Sequence, residues 1–278
     1  MSGAPPNGYL IATDLDGTLL DHHTYAHAPA GPAIELCMRE HIPVVFNTSK
    51  TASESCRLRD SLGNRHPFIV ENGSAVYIPV GYFDSMPQAC IKAGDYWVRR
   101  FGKPLAEILD ELAGMKRAGH FRYAGFSGWS AKQVAEQTGL SLAGALESKH
   151  REYSEPLLWQ DNGEQLQAFR TEVRKRGMKL LQGGRFLHVL GDTDKGKALN
   201  WLKNVYQQTT GKPVTLVALG DSDNDIDMLE AADIAVIVRS PVRKAPTLKT
   251  GKRVIYTRAF GPDGWNEAIT KLLRPNEN

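Results

Sequence analysis

Cysteine is scarce: three in 278 residues, Cys37, Cys56 and Cys90, far apart and with no Cys-x-x-Cys pair. A sparse, odd set argues for a reducing compartment and against a disulfide framework or a zinc site, so a cytoplasmic protein is expected. A dominant charge is also lacking. Lys and Arg total 34 against 31 Asp and Glu, a formal net charge of +3, and no basic stripe stands out. That excludes nucleic acid as the expected partner and suits an anionic small molecule. No apolar run is long enough to span a bilayer, so no membrane partner is expected. Met1 to Gly8 lacks the basic and apolar regions of a signal peptide and reads as a floppy tail; Pro275 to Asn278 reads as a disordered one. Internal repeats and low-complexity tracts are absent. What is present is 41% hydrophobic residues, enough for a full core in one large or two modest domains.

Tyr9-Leu-Ile-Ala-Thr13 is a short apolar run that breaks at Asp14-Leu-Asp16-Gly17. It reads as a buried strand of a parallel sheet, with two carboxylates where the strand ends. In open α/β sheets ligands collect outside the carboxyl ends of the strands. Two acids there repel, and make sense if a cation sits between them and an anionic substrate. An Asp-Gly turn of no further meaning is the plainer alternative. Val214-Thr-Leu-Val-Ala-Leu219 is a second such run, ending in Gly220-Asp221-Ser222-Asp223-Asn224-Asp225. This loop lacks the spacing of a calcium-binding loop.

Between them, Pro43 to Asn47 reads as a strand ending in Thr48-Ser49-Lys50-Thr51 ahead of a helix to about Leu62. That arrangement is an anion site or simple N-capping. Pro32 opens a helix to about His41, and the histidines of Asp21–His27 fall on a solvated loop near the site entrance. Phe68–Ile78 reads as a hairpin about Asn72-Gly73. From about Phe83 to Gln182 helices dominate, predicted over 88–101, 104–117, 130–137 and 162–176, with strands at 156–159 and 178–181. This is a second, α+β unit placed inside the first. Gly183 to Leu190 returns the chain to the core as a strand, and Lys195 and Lys197 open a helix. Lysine is disfavoured at a helix N-terminus, so either a nearby negative group compensates or the lysines are merely exposed. Strands at 233–238 and 254–256 and a helix from Trp265 to Leu273 complete an α/β pattern.

The order Asp14-x-Asp16-Gly17-Thr18, a strand ending in Thr48-Ser49, Lys195, then Gly220-Asp221-x-x-Asn224-Asp225 resembles the haloacid dehalogenase superfamily of phosphatases. The resemblance implies a Rossmann-like core, a parallel sheet between helices, with an inserted α+β cap of the C2 type: core over residues 1–83 and 189–278, cap over 84–188. It implies Asp14 as nucleophile forming an aspartyl-phosphate, Asp16 as general acid then base, and Lys195 as the neutralising cation. Mg²⁺ is the implied cofactor, with Asp14, Asp16 (through its carbonyl), Asp221 and Asp225 as its acids. Thr48, Ser49, Lys50 and Asn224 match phosphoryl-binding positions. Many relatives carry Thr-Gly-Arg where this chain has Thr48-Ser49-Lys50.

A narrower likeness, to mannosyl-3-phosphoglycerate phosphatases, rests on Asp14–Tyr25, Thr48–Thr51, Glu71-Asn-Gly73, Arg151–Pro156, Gly184–His188, Asp194–Lys197 and Gly261–Trp265. It implies hydrolysis of mannosyl-3-phosphoglycerate to mannosylglycerate and phosphate. The glycerate carboxylate calls for a cation in the cap. Arg151 and Arg185 are the candidates, with Ser154 as a hydroxyl donor. Arg151 could instead pair on the surface with Glu152 or Glu155. A phosphatase of another sugar phosphate such as glucosyl-3-phosphoglycerate, a phosphomutase and a non-enzymatic binding module are the competing readings. The sequence does not set the oligomeric state.

Overall fold

A computed structural model describes residues 8–119, 121–249 and 251–275. The predicted tails, apart from Gly8 and Pro275, lie outside these residues. In chain order the core begins with β1 (Tyr9–Thr13), α1 (Gly31–Arg39), β2 (Val44–Asn47), α2 (Ala52–Ser61), β3 (Phe68–Val70), β4 (Ala75–Pro79), β5 (Ile91–Ala93) and β6 (Tyr96–Arg100). There follow α3 (Leu105–Gly119), β7 (Tyr123–Gly125), α4 (Ala131–Thr138), α5 (Leu142–Ser148), β8 (Ser154–Trp159), α6 (Gly163–Lys175), β9 (Met178–Gln182) and β10 (Leu187–Gly191). The last third is α7 (Lys195–Thr210), β11 (Thr215–Gly220), α8 (Ile226–Ala231), β12 (Ile234–Arg239), β13 (Arg253–Phe260) and α9 (Gly261–Leu273).

Among the described residues, nine strands form one sheet in the order β13-β12-β11-β1-β2-β3-β4-β6-β5, parallel from β13 to β3 and antiparallel beyond. Because successive side chains of a strand point to opposite faces, each central strand feeds two cores. Ile11, Val217, Leu219 and Val236 pack on one side with Ala33 and Cys37 of α1 and Trp265, Ala268 and Ile269 of α9. Leu10, Ala12, Leu216, Ala218 and Ile237 pack on the other with Leu199, Leu202 and Tyr206 of α7 and Met228 and Leu229 of α8. Burial on both faces is why these strands read as unbroken apolar runs.

A four-stranded antiparallel sheet, β7-β8-β10-β9, lies within the insertion. Ile108 and Leu112 of α3 and Phe169 and Val173 of α6 cover it. Two expectations fail here. The helix predicted over 88–101 is the hairpin β5–β6, which extends the large sheet through β4. Its Gly94 takes φ 57° in the turn, and Tyr96-Trp97-Val98 are β-formers; apolar periodicity alone does not separate a short helix from such a run. The strand that ends at Gly191 pairs with β8 and β9 in the small sheet rather than with the core.

Trp265 is fully buried, and its Nε1 donates to Thr13 Oγ1 at 3.1 Å. That hydroxyl donates in turn to the Asp14 carbonyl at 2.6 Å. Trp265→Ala is expected to destabilise the fold by about 3–5 kcal/mol, read from the midpoint of urea unfolding. A shift under about 1 kcal/mol would show that α9 does not brace the end of β1.

Candidate active site

The site forms where parallel strands end side by side. Thr13 is in register with Leu219, and the Asp14 amide donates to the Leu219 carbonyl at 2.9 Å, so Asp14 and Asp221 leave adjacent strands at the same level. Between β1 and its neighbour the turn passes very close: a Cβ on Gly17 would sit 2.7 Å from Asp221 Oδ2, and Gly17 has φ +85°. Only glycine meets both conditions. Strand β2 contributes Asn47, fully buried, whose Nδ2 holds the Lys195 carbonyl at 3.1 Å.

Lys195 is wholly buried at the start of α7, and its Nζ lies 2.6 Å from Asp14 Oδ1 and 2.7 Å from Asp225 Oδ1. The compensating negative groups that a lysine in this helical position requires are therefore two carboxylates. Burial opposes its charge, but Asp14 and Asp225 outweigh burial and raise its pKa. Asp14 is pushed up to about 8, by burial first and then by the charge of Asp225, against the pull of Lys195. Asp221 rises to about 6, again chiefly through burial and then through Asp225. Both oxygens of Asp221 are buried without a hydrogen-bond partner. Asp225 has little left to offer: its Oδ2 accepts from the amides of Asp221 and Ser222 at 3.1 and 3.2 Å.

Carboxylate oxygens of Asp14, Asp221 and Asp225 come within 4.8 Å of one another. An all-oxygen donor set with two orphaned buried atoms on Asp221 fits a hard divalent cation such as Mg²⁺. Asp16 stands apart from this cluster. Its Oδ2 pairs with Lys50 Nζ at 2.8 Å, while its Oδ1 is buried without a partner. Lys50 also lies over the Tyr25 ring at 5.3 Å.

Asp14 and Asp16 floor a cleft of about 430 Å³ that runs up between the two sheets. Asp14, Asp16, Ser49, Lys50, Asn224, Arg151 and Arg185 line it. Thr48 lies just beneath, 1% exposed, its Oγ1 accepting from the Lys50 amide at 3.2 Å. Ser154 is a correction: it does not line the cleft. It is fully buried, and its hydroxyl donates to Glu71 Oε2 at 2.6 Å. Arg151 is not a surface pair. Its Nη1 reaches Ser154 Oγ at 2.9 Å and the Ser49 carbonyl at 3.3 Å, and lies 3.8 Å from Glu71. Arg185 is exposed and engaged with the Gln137 carbonyl at 2.5 Å and Oε1 at 3.1 Å.

Sequence reasoning missed Asn72, His188 and Arg243, which also line the cleft. Asn72 is 2% exposed with Oδ1 buried and unpartnered; its amide donates to the Thr48 carbonyl at 2.9 Å. Its place in the Glu71-Asn72-Gly73 turn beside a strand end was the available signal. The solvated loop expected at the entrance does reach the site, through His22 and Tyr25.

Two family profiles match the chain: haloacid dehalogenase-like hydrolase over residues 11–83, and sucrose-6F-phosphate phosphohydrolase over residues 158–271. A Thermoplasma acidophilum protein of known structure aligns with TM-score 0.68 at 17% identity, covering 95% of this chain and 98% of that one. The sucrose-phosphatase of Synechocystis, solved with sucrose and phosphate, aligns with TM-score 0.56 at 15% identity, over 95% of this chain and 97% of that one. These two likenesses show the fold alone; the profiles carry the class, and the protein is a phosphoric monoester hydrolase of the haloacid dehalogenase superfamily.

The curated relatives are nearer. A glucosyl-3-phosphoglycerate/mannosyl-3-phosphoglycerate phosphatase of Methanococcoides burtonii is 37% identical over 270 residues, 97% of this chain and 99% of its own. One of the same name from Persephonella marina is 34% identical over 269 residues, 96% and 98% of the two chains. The chain belongs to this family.

His188 faces the cleft with its ring Nδ1 buried and unpartnered. Burial first, then the charges of Arg151 and Lys195, lower its pKa from 6.5 to about 3. The unfolded chain therefore takes up this proton before the folded one. Stability from the neutral ring is complete above about pH 6.5 and is lost as the pH falls toward about 3. Melting temperatures between pH 7 and 4 should fall more steeply for the wild type than for His188→Gln. Parallel curves would show that the ring is protonated in the folded protein.

Proposed function

We propose that this protein hydrolyses mannosyl-3-phosphoglycerate to mannosylglycerate and phosphate with Mg²⁺, through an aspartyl-phosphate on Asp14. The observation that carries the reading is the convergence of Asp14, Lys195, Asp221 and Asp225 at one strand-end cluster. Glucosyl-3-phosphoglycerate is the second reading, favoured by relatives whose names include both sugars.

Asp14 and Asp221 would hold the ion, with the Asp16 carbonyl; Asp225 supports them by fixing the Asp221 amide and Lys195. When bound, the ion supplies Lewis-acid neutralisation of the anionic phosphoryl group. Lys195 holds Asp14 Oδ1 in place and offsets the charge that would otherwise repel the phosphate dianion. Thr48 and Ser49, at the end of β2, and Asn224 bind the phosphoryl oxygens. An Asp14 oxygen attacks phosphorus as the ester P–O bond breaks, and the leaving alkoxide takes a proton from Asp16. Asp16 then removes a proton from water. The resulting hydroxide attacks phosphorus, the P–O bond to Asp14 breaks, and phosphate leaves. In the present conformation Asp16 pairs with Lys50, so that pair must open before Asp16 can donate.

The small sheet and its helices serve as the cap that selects the substrate. They contact the core at several points: Thr51 Oγ1 donates to the Glu147 carbonyl at 3.1 Å, and Arg57 pairs with Glu147 at 2.9 Å. The substrate is soluble and small. No helix of the described residues is long and apolar enough to cross a membrane, and the three free cysteines support a reducing cytoplasm as the location.

Phosphate release measured with Mg²⁺ across mannosyl- and glucosyl-3-phosphoglycerate, sucrose phosphate and simple sugar phosphates should be fastest on the two phosphoglycerates. Preference for a simple sugar phosphate would overturn the substrate. Asp14→Asn should lower kcat by about a thousandfold or more while leaving the unfolding midpoint near that of the wild type. Retained turnover would overturn its role as nucleophile. Chelation of divalent ions should stop release, and normal rates in chelator would remove the metal.

A further inference from the structure

The cleft holds more than the phosphoryl end of a substrate, and most of its cations are already engaged. Lys195 is held by two carboxylates, Lys50 by Asp16, Arg151 by Ser154, the Ser49 carbonyl and Glu71, and Arg185 by Gln137. Arg243 differs. It lines the cleft yet forms no ion pair or hydrogen bond among the described residues. It comes from the loop that follows β12, at the same carboxyl edge of the sheet as Asp14 and Asp221.

It is approached from three sides. A Cβ on Gly184, in the loop between β9 and β10, would sit 3.2 Å from Arg243 Nη2, so the guanidinium touches the cap side of the cleft. On the core side its charge acts on His22 and on Asp221. The loop that carries it is anchored beyond by buried Pro246, by Leu248 against the core, and by the Lys249 amide donating to Glu230 Oε1 at 2.7 Å. A half-buried arginine without a partner, held at the seam of cap and core, is a ready receptor for a planar anion.

We propose that Arg243 receives the carboxylate of a phosphorylated hydroxy acid, so that the core rather than the cap reads the acid end of the substrate. This rests on the reading of the cleft as a phosphoglycerate site and makes it more specific. In a 3-phosphoglycerate unit the carboxylate lies a short reach from the ester oxygen. With phosphate at the Asp14 end, a group so close to phosphorus stays near the sheet edge where Arg243 stands. The sugar, attached to the middle carbon, is then free to point up toward Gln137 to Leu140 and Phe186, which line the upper cleft. Arg151 and Arg185 are left to shape the cleft through the contacts they already make. The signal for Arg243 was in the chain: a basic pair, Arg243-Lys244, just past the end of a strand.

The test compares esters that differ only in the acid. In the holoenzyme with Mg²⁺, kcat/KM is measured for 3-phosphoglycerate and glycerol 3-phosphate, and for the mannosylated 3-phosphoglycerate, in wild type, Arg243→Ala and Arg243→Lys. Wild type should favour 3-phosphoglycerate over glycerol 3-phosphate. Arg243→Ala should erase most of that preference, losing about ten- to a hundredfold more on the carboxylated esters, chiefly through KM. Arg243→Lys should recover part of it. Equal losses on both ester types in Arg243→Ala would overturn the proposal and assign the side chain to the phosphoryl group. If wild type favours 3-phosphoglycerate through Arg243 but ignores the mannosylated ester, the carboxylate site stands and the mannosyl substrate falls. No preference in wild type overturns the carboxylate site itself.

Discussion

Like charges buried together are the constraint on which this structure rests. Taking ionised carboxylates out of water is strongly unfavourable unless partners compensate. Asp14, Asp221 and Asp225 are nonetheless 5%, 1% and 0% exposed at one point. Lys195 relieves part of this repulsion by bridging Asp14 and Asp225. The unpartnered oxygens of Asp221 show that part of it remains, and burial together with the charge of Asp225 pushes the pKa values of Asp14 and Asp221 upward. A hard divalent cation would resolve the remainder, and such a cation is also what a phosphate dianion would need. Stability and function would thus draw on the same positive charge.

The sheet makes this crowding possible. Parallel strands in register finish at one edge, so residues far apart in sequence leave the core side by side. Asp14 and Asp221 are separated by most of the chain but by one backbone hydrogen bond in space, from the Asp14 amide to the Leu219 carbonyl. Asn47 at the end of β2 adds Lys195 by its backbone. On the far side, Trp265 reaches Thr13 and through it the Asp14 carbonyl. The main chain at Asp14 is therefore held by both strand β11 and helix α9.

What could be read from the chain follows from this edge. Apolar runs that end in acids or hydroxyls gave away β1, β2 and β11 and the residues just beyond them, because burial on both faces leaves a continuous signature and a strand end is where chemistry collects. The insertion was read less well. The hairpin β5–β6 was expected as a helix because its short apolar run has no decisive period, and the turn at Gly94–Asp95 was the clue passed over. Ser154 was expected at the substrate on its hydroxyl alone. Sequence does not reveal that a hydroxyl is already bonded to a buried carboxylate. Arg243 and Asn72 escaped for the converse reason, since they sit on loops with no periodic pattern at all.

Asn72 shows how site and cap are joined. Glu71, Asn72 and Gly73 hold successive positive φ values of 48°, 58° and 89°. Glycine and asparagine tolerate this region, but glutamate there costs on the order of 1–3 kcal/mol. The turn sends Asn72 into the cleft and Glu71 away from it, against the chain that enters β8. There the Glu71 carboxylate accepts from the Glu152 and Tyr153 amides at 2.9 and 3.1 Å and from Ser154 Oγ at 2.6 Å, with Arg151 nearby. Hydrogen bonds to a charged acceptor, several at once and away from water, offset a strain of that size. Arg151 closes the circuit by reaching back to the Ser49 carbonyl just past the end of β2. Any movement of the cap relative to the core must therefore be felt at Asn72 and Ser49, on either side of the place where phosphate would lie. The insertion is thus tied to the core through both the Glu71–Gly73 turn and the Ser49 carbonyl, next to the strand ends that carry Asp14 and Asp221.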